Sequence, residues 1–572
     1  MTAGTSGILQ RLSGIAPRDL ARRLDALLAS DCETRPAFSG SWVVPAVPEG
    51  AVEVARYAVE GCPVAVYNLH DRTESLYHLT PPEYALSGAL VGLVEGAREE
   101  LLASPPASSR GSAEIREHVL REGEAAIARL SRERRVLLGA TRDEQLEHLR
   151  ELAATLARYT VGLGVCEVPL RDPRVLDVFV DAPVGAIPLY LNLADVPGAH
   201  QRCVTNVYLT AADAGALLAR LQFESGRPFS ESRPVLEANL EAFRVRATAI
   251  GPTLSPEGLA FALRRHSTEP WTLARLVHRG SLTPLAAGLL SLLVDGRSTI
   301  LVAGSRGAGK SSLLGALLLE FPRSQRLLAI EDTPELPLRA LQDLGYKVQG
   351  LLVQSSLGGH EMTADEALRV SLRLGESAIV LGEVRGQEAR TLYEAMRAGT
   401  AGSAVLGTIH GNSSAAVYER IVHDLGIPAA SFEATDVVVV AGLVRPRGGQ
   451  RISRRLLEVS ELVKGQRDGR FEALLAYDAA TDGLAETAIL ASGSSKLAGI
   501  ARSWGITYPE VLENLRVRAE CKRLQAVAGG RRPEILGAEW TSRCNARYWA
   551  LVEEGRAGGE LLAAWRTWLE AS

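Results

Sequence analysis

Lys310 and Ser311 stand at the end of a glycine-rich turn in "LVAGSRGAGKSSLLGALL", residues 301–318. Glycines at 304, 307 and 309 let a backbone curl until successive N–H groups converge on an anion, and a helix that starts there adds the partial positive charge of its N-terminus. On that geometry Lys310 reaches the β- and γ-phosphates of a nucleotide and the Ser311 hydroxyl ligates Mg²⁺. The spacing fits GxxxxGK[ST] in full: Gly304, Ser305, Arg306, Gly307, Ala308, Gly309, Lys310 and Ser311, with Ser312 next in the helix. The competing reading is a surface turn beside a chance lysine. Only five lysines occur in 572 residues, and this one lies between an apolar strand-like run and an apolar helix-like run, so nucleotide binding is the stronger expectation.

Such a cradle needs a strand to deliver it and acidic groups to face it. Residues 300–303 read as a buried strand and residues 312–319 as a helix. "TILVAG", "RLLAIED", "AIVLGE", "AVLGTIHG" and "DVVVVAG" are short apolar runs separated by helical stretches. That alternation predicts a parallel sheet covered on both faces, with its ligand at the C-terminal edge of the strands. Glu331, Asp332 and Glu335 in "IEDTPELPL" follow one strand, and Glu383 and Glu388 in "VLGEVRGQEA" follow another. A nucleotide-hydrolysing site uses one acid to hold Mg²⁺ through its water shell and one to orient or deprotonate the attacking water. Acids at strand ends are often solvated loop residues; arriving together after a phosphate cradle, they read as parts of one site. Thr363 and Glu366 read as a capping box opening a helix, which puts Arg369 and Arg373 one turn apart on a shared face.

The bulk numbers limit the class of protein. There are 63 basic and 67 acidic residues, a formal net charge of −4, and no global pull toward nucleic acid or an anionic membrane follows from that balance. Six scattered cysteines with no CxxC pair predict reduced thiols rather than a disulfide framework or a zinc site. The first twenty residues lack the apolar core of a signal peptide, and no run approaches the roughly 20 apolar residues that span a bilayer. Five segments are expected: an α+β region over 1–103, a linker ("SPPASSRGS") and charged helical segment over 104–159, a small α/β domain over 160–280, the P-loop domain over 281–450, and a mostly helical region over 451–572.

The string from "GSRGAGKSS" through "IEDTPELPL", "SLRLGESAIVLGEVRGQEA" and "GTIHG" resembles the type II/type IV secretion and type IV pilus ATPase superfamily, and the fuller wording around it is similar to the archaeal branch. The resemblance covers about residues 160–525. It implies a RecA-like α/β P-loop core with a parallel sheet, a small α/β domain and an additional region before it, and a helical C-terminal tail. Its four boxes fall on 304–311, 331–335, 379–383 and 407–411. It further implies that Glu335 and Glu383 activate water or order Mg²⁺, that Arg373 and Arg385 face the nucleotide of a neighbouring subunit, and that His410 senses the γ-phosphate or couples the site onward. Arg244 and Arg264 resemble residues that approach the nucleotide from the preceding domain.

By the same resemblance the protein works as a homohexameric ring at the cytoplasmic face of a polytopic membrane platform, using ATP and Mg²⁺ to drive assembly of a pilus-like filament or secretion. The chain departs from many members in having Gly375, Glu376 and Ser377 where they carry Asp-Pro-Asp, and it lacks a tetracysteine element. The main rival is a nucleic-acid translocase or conjugation-type ATPase, for which "LAGIARSWGITYPEVLENLRVRAECKRL" offers a helix-turn-helix look. Its mixed acids and bases give no basic stripe.

Overall fold

A computed structural model of the chain describes residues 35–70, 72–103, 111–194, 196–265, 269–353, 363–375, 377–386, 388–397, 404–449, 452–466 and 469–572. Most of the expected linker, the first 34 residues and Glu376 lie outside the described residues. The chain divides into two compact units, residues 1–266 and 267–572.

In the first unit β1 (Trp42–Val43) pairs with β8 (Val207–Tyr208). Nine further strands make one sheet: β2 (Val52–Val59), β3 (Cys62–Asn68), β4 (Ser75–Leu79), β5 (Val175–Val180), β6 (Tyr190–Leu193), β7 (Arg202–Thr205), β9 (Val235–Leu240), β10 (Val245–Ile250) and β11 (Ala260–Arg265). Their order is β2-β3-β4-β7-β6-β5-β11-β10-β9, and the two sequence-distant parts join where β4 runs parallel to β7. In β10, Val245, Ala247 and Ala249 are buried and alternate with half-buried residues, the period-two pattern of a strand with one face on a core. Three helices, Gly88–Ala103, Ser112–Glu133 and Arg142–Thr160, bury Leu93, Ile127 and Leu156 among themselves. Thr141 and Glu144 close a capping box at the start of the third, so the charged stretch expected to be helical is two helices.

In the second unit the strands are β12 (Ile300–Gly304), β13 (Arg326–Glu331), β14 (Lys347–Leu352), β15 (Ala378–Leu381), β16 (Val405–Ile409), β17 (Val437–Val444), β18 (Ser453–Leu462), β19 (Phe471–Asp478) and β20 (Gly483–Glu486). The order is β14-β13-β15-β16-β12-β17-β18-β19-β20. The first six are mutually parallel; β18, β19 and β20 add on antiparallel. Every residue of β12, β15 and β16 is buried, as a sheet covered on both faces requires. All five expected strands are present, and the expected parallel α/β core with a helical tail is met. β14, whose "KVQGLL" has no sustained apolar run, is an edge strand that the pattern did not single out.

Helices flank this sheet. Pro284–Asp295 starts at Thr283, which accepts from the Ala286 N–H, and is buried nearly all round. Tyr508–Gly529, with its Thr507–Glu510 capping box and an early proline, packs against it. Among the described residues no helix is long and apolar enough to cross a membrane.

Candidate functional site

β12 lies between β16 and β17 and delivers its last residue, Gly304, into a tight place. A Cβ there would come within 2.5 Å of the Ala441 carbonyl oxygen, so no larger residue fits without moving β17. The chain turns through 305–308 and enters the helix Lys310–Leu318, whose N-cap, Gly309, makes no side-chain capping bond. The first N–H groups of that helix are therefore left to a ligand at its end. Lys310 Nζ donates to the carbonyls of Gly304 at 3.0 Å and Ser305 at 3.2 Å, which folds the lysine over the turn. Half-burial holds its ammonium below the ordinary value, while Glu383 and Glu335 pull the other way.

The acids arrive from β13 and β15. Ser311 Oγ donates to Glu335 Oε2 at 2.5 Å. Glu335 is held in turn by Glu331, whose buried Oε1 accepts from the backbone N–H groups of Glu335 at 2.9 Å and Leu336 at 2.8 Å. Burial pushes the Glu331 carboxyl up to about 7 even though those two N–H groups pull it down. Glu388, also buried, accepts from the N–H groups of Arg385 at 2.6 Å and Gly386 at 2.7 Å, so it shapes the loop after β15 rather than facing the cradle.

Glu383 is the meeting point. Arg385 donates to its Oε2, and also to Asp332 at 2.8 Å. His410 Nε2 lies 2.9 Å from its Oε1, yet that buried oxygen counts no well-angled hydrogen bond among the described residues. Partial burial and then the charge of Lys310 hold the His410 imidazole below its usual pKa, against the opposing pull of Glu383. The available oxygens near Lys310 are thus hard ones, Ser311 Oγ, Glu335 Oε2 and Glu383 Oε1, the last a buried carboxylate oxygen with only His410 beside it among the described residues. That set suits Mg²⁺ completed by phosphate and water, and it fits the cation poorly matched by sulfur or nitrogen ligands.

The structure therefore brings together Gly304 through Ser312, Glu335, Glu383, Arg385 and His410. It does not bring Arg373. That residue is exposed in the turn after the helix Ala364–Ser371, and its side chain makes no hydrogen bond or ion pair among the described residues; the neighbouring Leu374 carbonyl is taken by Arg326. Arg385, expected to face a neighbouring subunit's nucleotide, is paired in this single chain with Asp332 and Glu383. Arg369 is engaged by Asp365 and Thr391. In the first unit Arg264 pairs with Asp177 at 2.9 Å, while Arg244 sits exposed at a helix-to-strand corner with φ of 51°. Sequence reasoning missed Arg454 of β18, whose Nε donates to the Gly307 carbonyl at 2.9 Å.

Residues 203–470 match the family described as Type II/IV secretion system protein. An uncharacterized protein of Methanocaldococcus jannaschii is 31% identical over 247 residues, 42% of this chain and 33% of the relative, so the chain spans about a third of that protein's length. A Mycobacterium tuberculosis protein that carries a conjugal-transfer name is 30% identical over 354 residues, 60% of this chain and 94% of the relative. Among solved structures, the VirB11 ATPase of the Brucella suis type IV secretion system is 25% identical and aligns over 51% of this chain and 94% of its own, at a TM-score of 0.25, too low to add to the fold seen here. With nearly the whole of the mycobacterial relative matched and the family pattern running through the phosphate cradle and both acidic strand ends, the chain belongs to the type II/IV secretion system protein family.

Proposed function

We propose that this chain is a Mg²⁺-dependent ATPase that assembles as a homohexameric ring at the inner face of a membrane and drives a pilus-like filament or secretion through a polytopic platform protein. The observation that carries the reading is the convergence of Lys310 and Ser311 with Glu335, Glu383 and His410 at one sheet edge. Lys310 leaves the Gly304 and Ser305 carbonyls to pair with the β- and γ-phosphates, a charge-assisted exchange. Bound Mg²⁺ supplies neutralisation of the phosphate oxygens, held by Ser311 and by Glu383. Glu335, kept in place through Glu331, orients the attacking water. His410, neutral near pH 7, reports through Glu383 whether the γ-phosphate is present.

Arg373 completes the site of the next subunit, which is consistent with its exposed guanidinium, uncommitted among the described residues; Arg385 restrains Glu383 within its own chain. Mixing tests both halves of this assignment. Lys310→Ala and Arg373→Ala proteins should each be inactive alone and regain part of the ATP turnover when mixed, once labelled subunits are shown to exchange. Arg385→Ala should gain nothing from the same mixing. Exchange without recovery by the Arg373 variant, or full activity from a strictly monomeric form, would sink the ring mechanism.

The mycobacterial relative's conjugal-transfer name favours one second reading, a nucleic-acid translocase. Against it, of the four basic residues in the middle of the tail's long helix, Arg518 and Lys522 are buried in ion pairs and Arg523 is paired with Glu520, leaving no basic stripe. Phosphate release stimulated by DNA would support that reading; stimulation by the platform protein would support the first.

A further inference from the structure

β18 carries two adjacent arginines with different duties. Arg455 is tied to Asp482 by two bonds of 2.9 and 2.7 Å, which anchors it to the β19–β20 turn. Arg454 stands opposite Leu443 of β17 and sends its Nε to the Gly307 carbonyl, 147 residues away in sequence. A peptide unit is planar and trans, so a carbonyl and the N–H that follows it point in opposite directions. Holding the Gly307 carbonyl toward β18 therefore turns the Ala308 N–H to the other side of the turn, where it donates to the Ser305 carbonyl at 3.3 Å. The Ser305 carbonyl is also one of the two that Lys310 grips. Gly307 has φ of 79°, a conformation in which little intrinsic preference opposes a flip of the following peptide.

We infer that Arg454 is a positioning residue of the phosphate cradle: by pinning the Gly307 carbonyl it fixes the direction of the Ala308 N–H, which a phosphate oxygen takes over from the Ser305 carbonyl. This rests on the nucleotide reading above and adds to it a residue outside the glycine-rich motif. The binding energy that Arg454 contributes is the avoided cost of reorganising the turn, so its loss should appear in affinity for ADP and ATP more than in the chemical step.

Glutamine separates the hydrogen bond from the charge, because its Nε2 stands as many bonds from Cα as the arginine Nε does and can donate to the same carbonyl. Mg²⁺-ADP binding followed by a fluorescent ADP should weaken about tenfold in Arg454→Ala, the loss of one net hydrogen bond, and the ATP KM should rise with it while kcat moves less. Arg454→Gln should recover most of the affinity, and thermal unfolding of both variants should match the parent. The role is overturned if Arg454→Ala binds like the parent, or if Arg454→Gln is as weak as Arg454→Ala, which would make charge the operative property. It is overturned likewise if the affinity loss tracks a fall in Tm. Failure of the parent protein to bind ADP removes the nucleotide reading itself; parental binding with an unaffected alanine variant removes only the role of Arg454.

Discussion

Two places in the second unit set cations against carboxylates, and they do so in opposite ways. In the seam between the long C-terminal helix and the helices packed on it, Lys522 meets Glu320 at 2.6 Å and Asn545 at 3.0 Å, all but sealed from water. One turn earlier Arg518 meets Asp295 at 2.6 Å and Ser291 at 3.1 Å, with its guanidinium over Tyr548 and Trp549. Each cation there has an acid of its own. At the phosphate cradle Lys310 is held by two neutral carbonyls, while Glu335, Glu383 and Asp332 gather round one arginine, one serine and one imidazole. Matched buried pairs hold elements in register; an acid-rich cluster beside a lysine that bonds only backbone is built to be completed.

The comparison is sharpest where one charge is deleted from the matched side. Lys522→Met strands Glu320 in a buried setting and should cost about 3–5 kcal/mol of unfolding free energy, read from a urea midpoint. Adding Glu320→Leu should return most of it, since a pair replaced by apolar groups of similar volume is often near neutral. Nucleotide affinity should stay at the parental value in both. A Lys522→Met protein with normal stability and weakened ADP binding would break the distinction between the two regions.

On the other side, Glu383→Gln should leave stability and nucleotide binding close to the parent, because the amide is nearly isosteric, and lower ATP turnover about 100-fold. Single-turnover phosphate release is the measurement. Parental turnover would move the chemical role to Glu335, and a large stability loss would show that Glu383 belongs with the structural pairs.

These differences were unevenly legible in the sequence. The cradle could be read because phosphate chemistry dictates both residue types and spacing, and the helix opened by Thr363 and Glu366 was legible for the same local reason; Thr363 does accept from the Glu366 N–H. What was not legible depends on long-range register or burial. Arg454 reaches Gly307 only because β18 returns antiparallel along β17, and "SRRLLEVS" gives no hint which of its arginines turns toward the turn. The inward turn of Arg385 depends on Asp332, brought beside it by the parallel pairing of β13 with β15. No local signal announces that β4 pairs with β7 across more than a hundred residues. Glu331 read as one acid among several, and only its burial under the turn to Leu336 sets it apart.

That burial makes Glu331 the smallest but most diagnostic difference between the regions. Its folded pKa is raised from 4.5 to about 7. A carboxyl raised on folding contributes stability that is fully present below the unfolded pKa and is lost as pH climbs through the folded one. The parent should therefore lose about 1–2 kcal/mol of unfolding free energy between roughly pH 5.5 and 7 on account of this group. His410 acts in the opposite sense: its folded pKa is depressed, so its contribution is present above its unfolded value near 6.5 and fades as pH falls. Glu331→Gln keeps an oxygen to accept from the Glu335 and Leu336 N–H groups but cannot titrate, so the variant should lose the Glu331 contribution and keep the rising slope of the histidines held below their usual pKa, His410 and the buried His78, with stability rising toward neutral pH. Urea midpoints for both proteins across that window decide it. The same downward slope in parent and variant would mean that Glu331 ionises as an ordinary surface carboxylate, and the support it lends Glu335 would then have to come from hydrogen bonding alone.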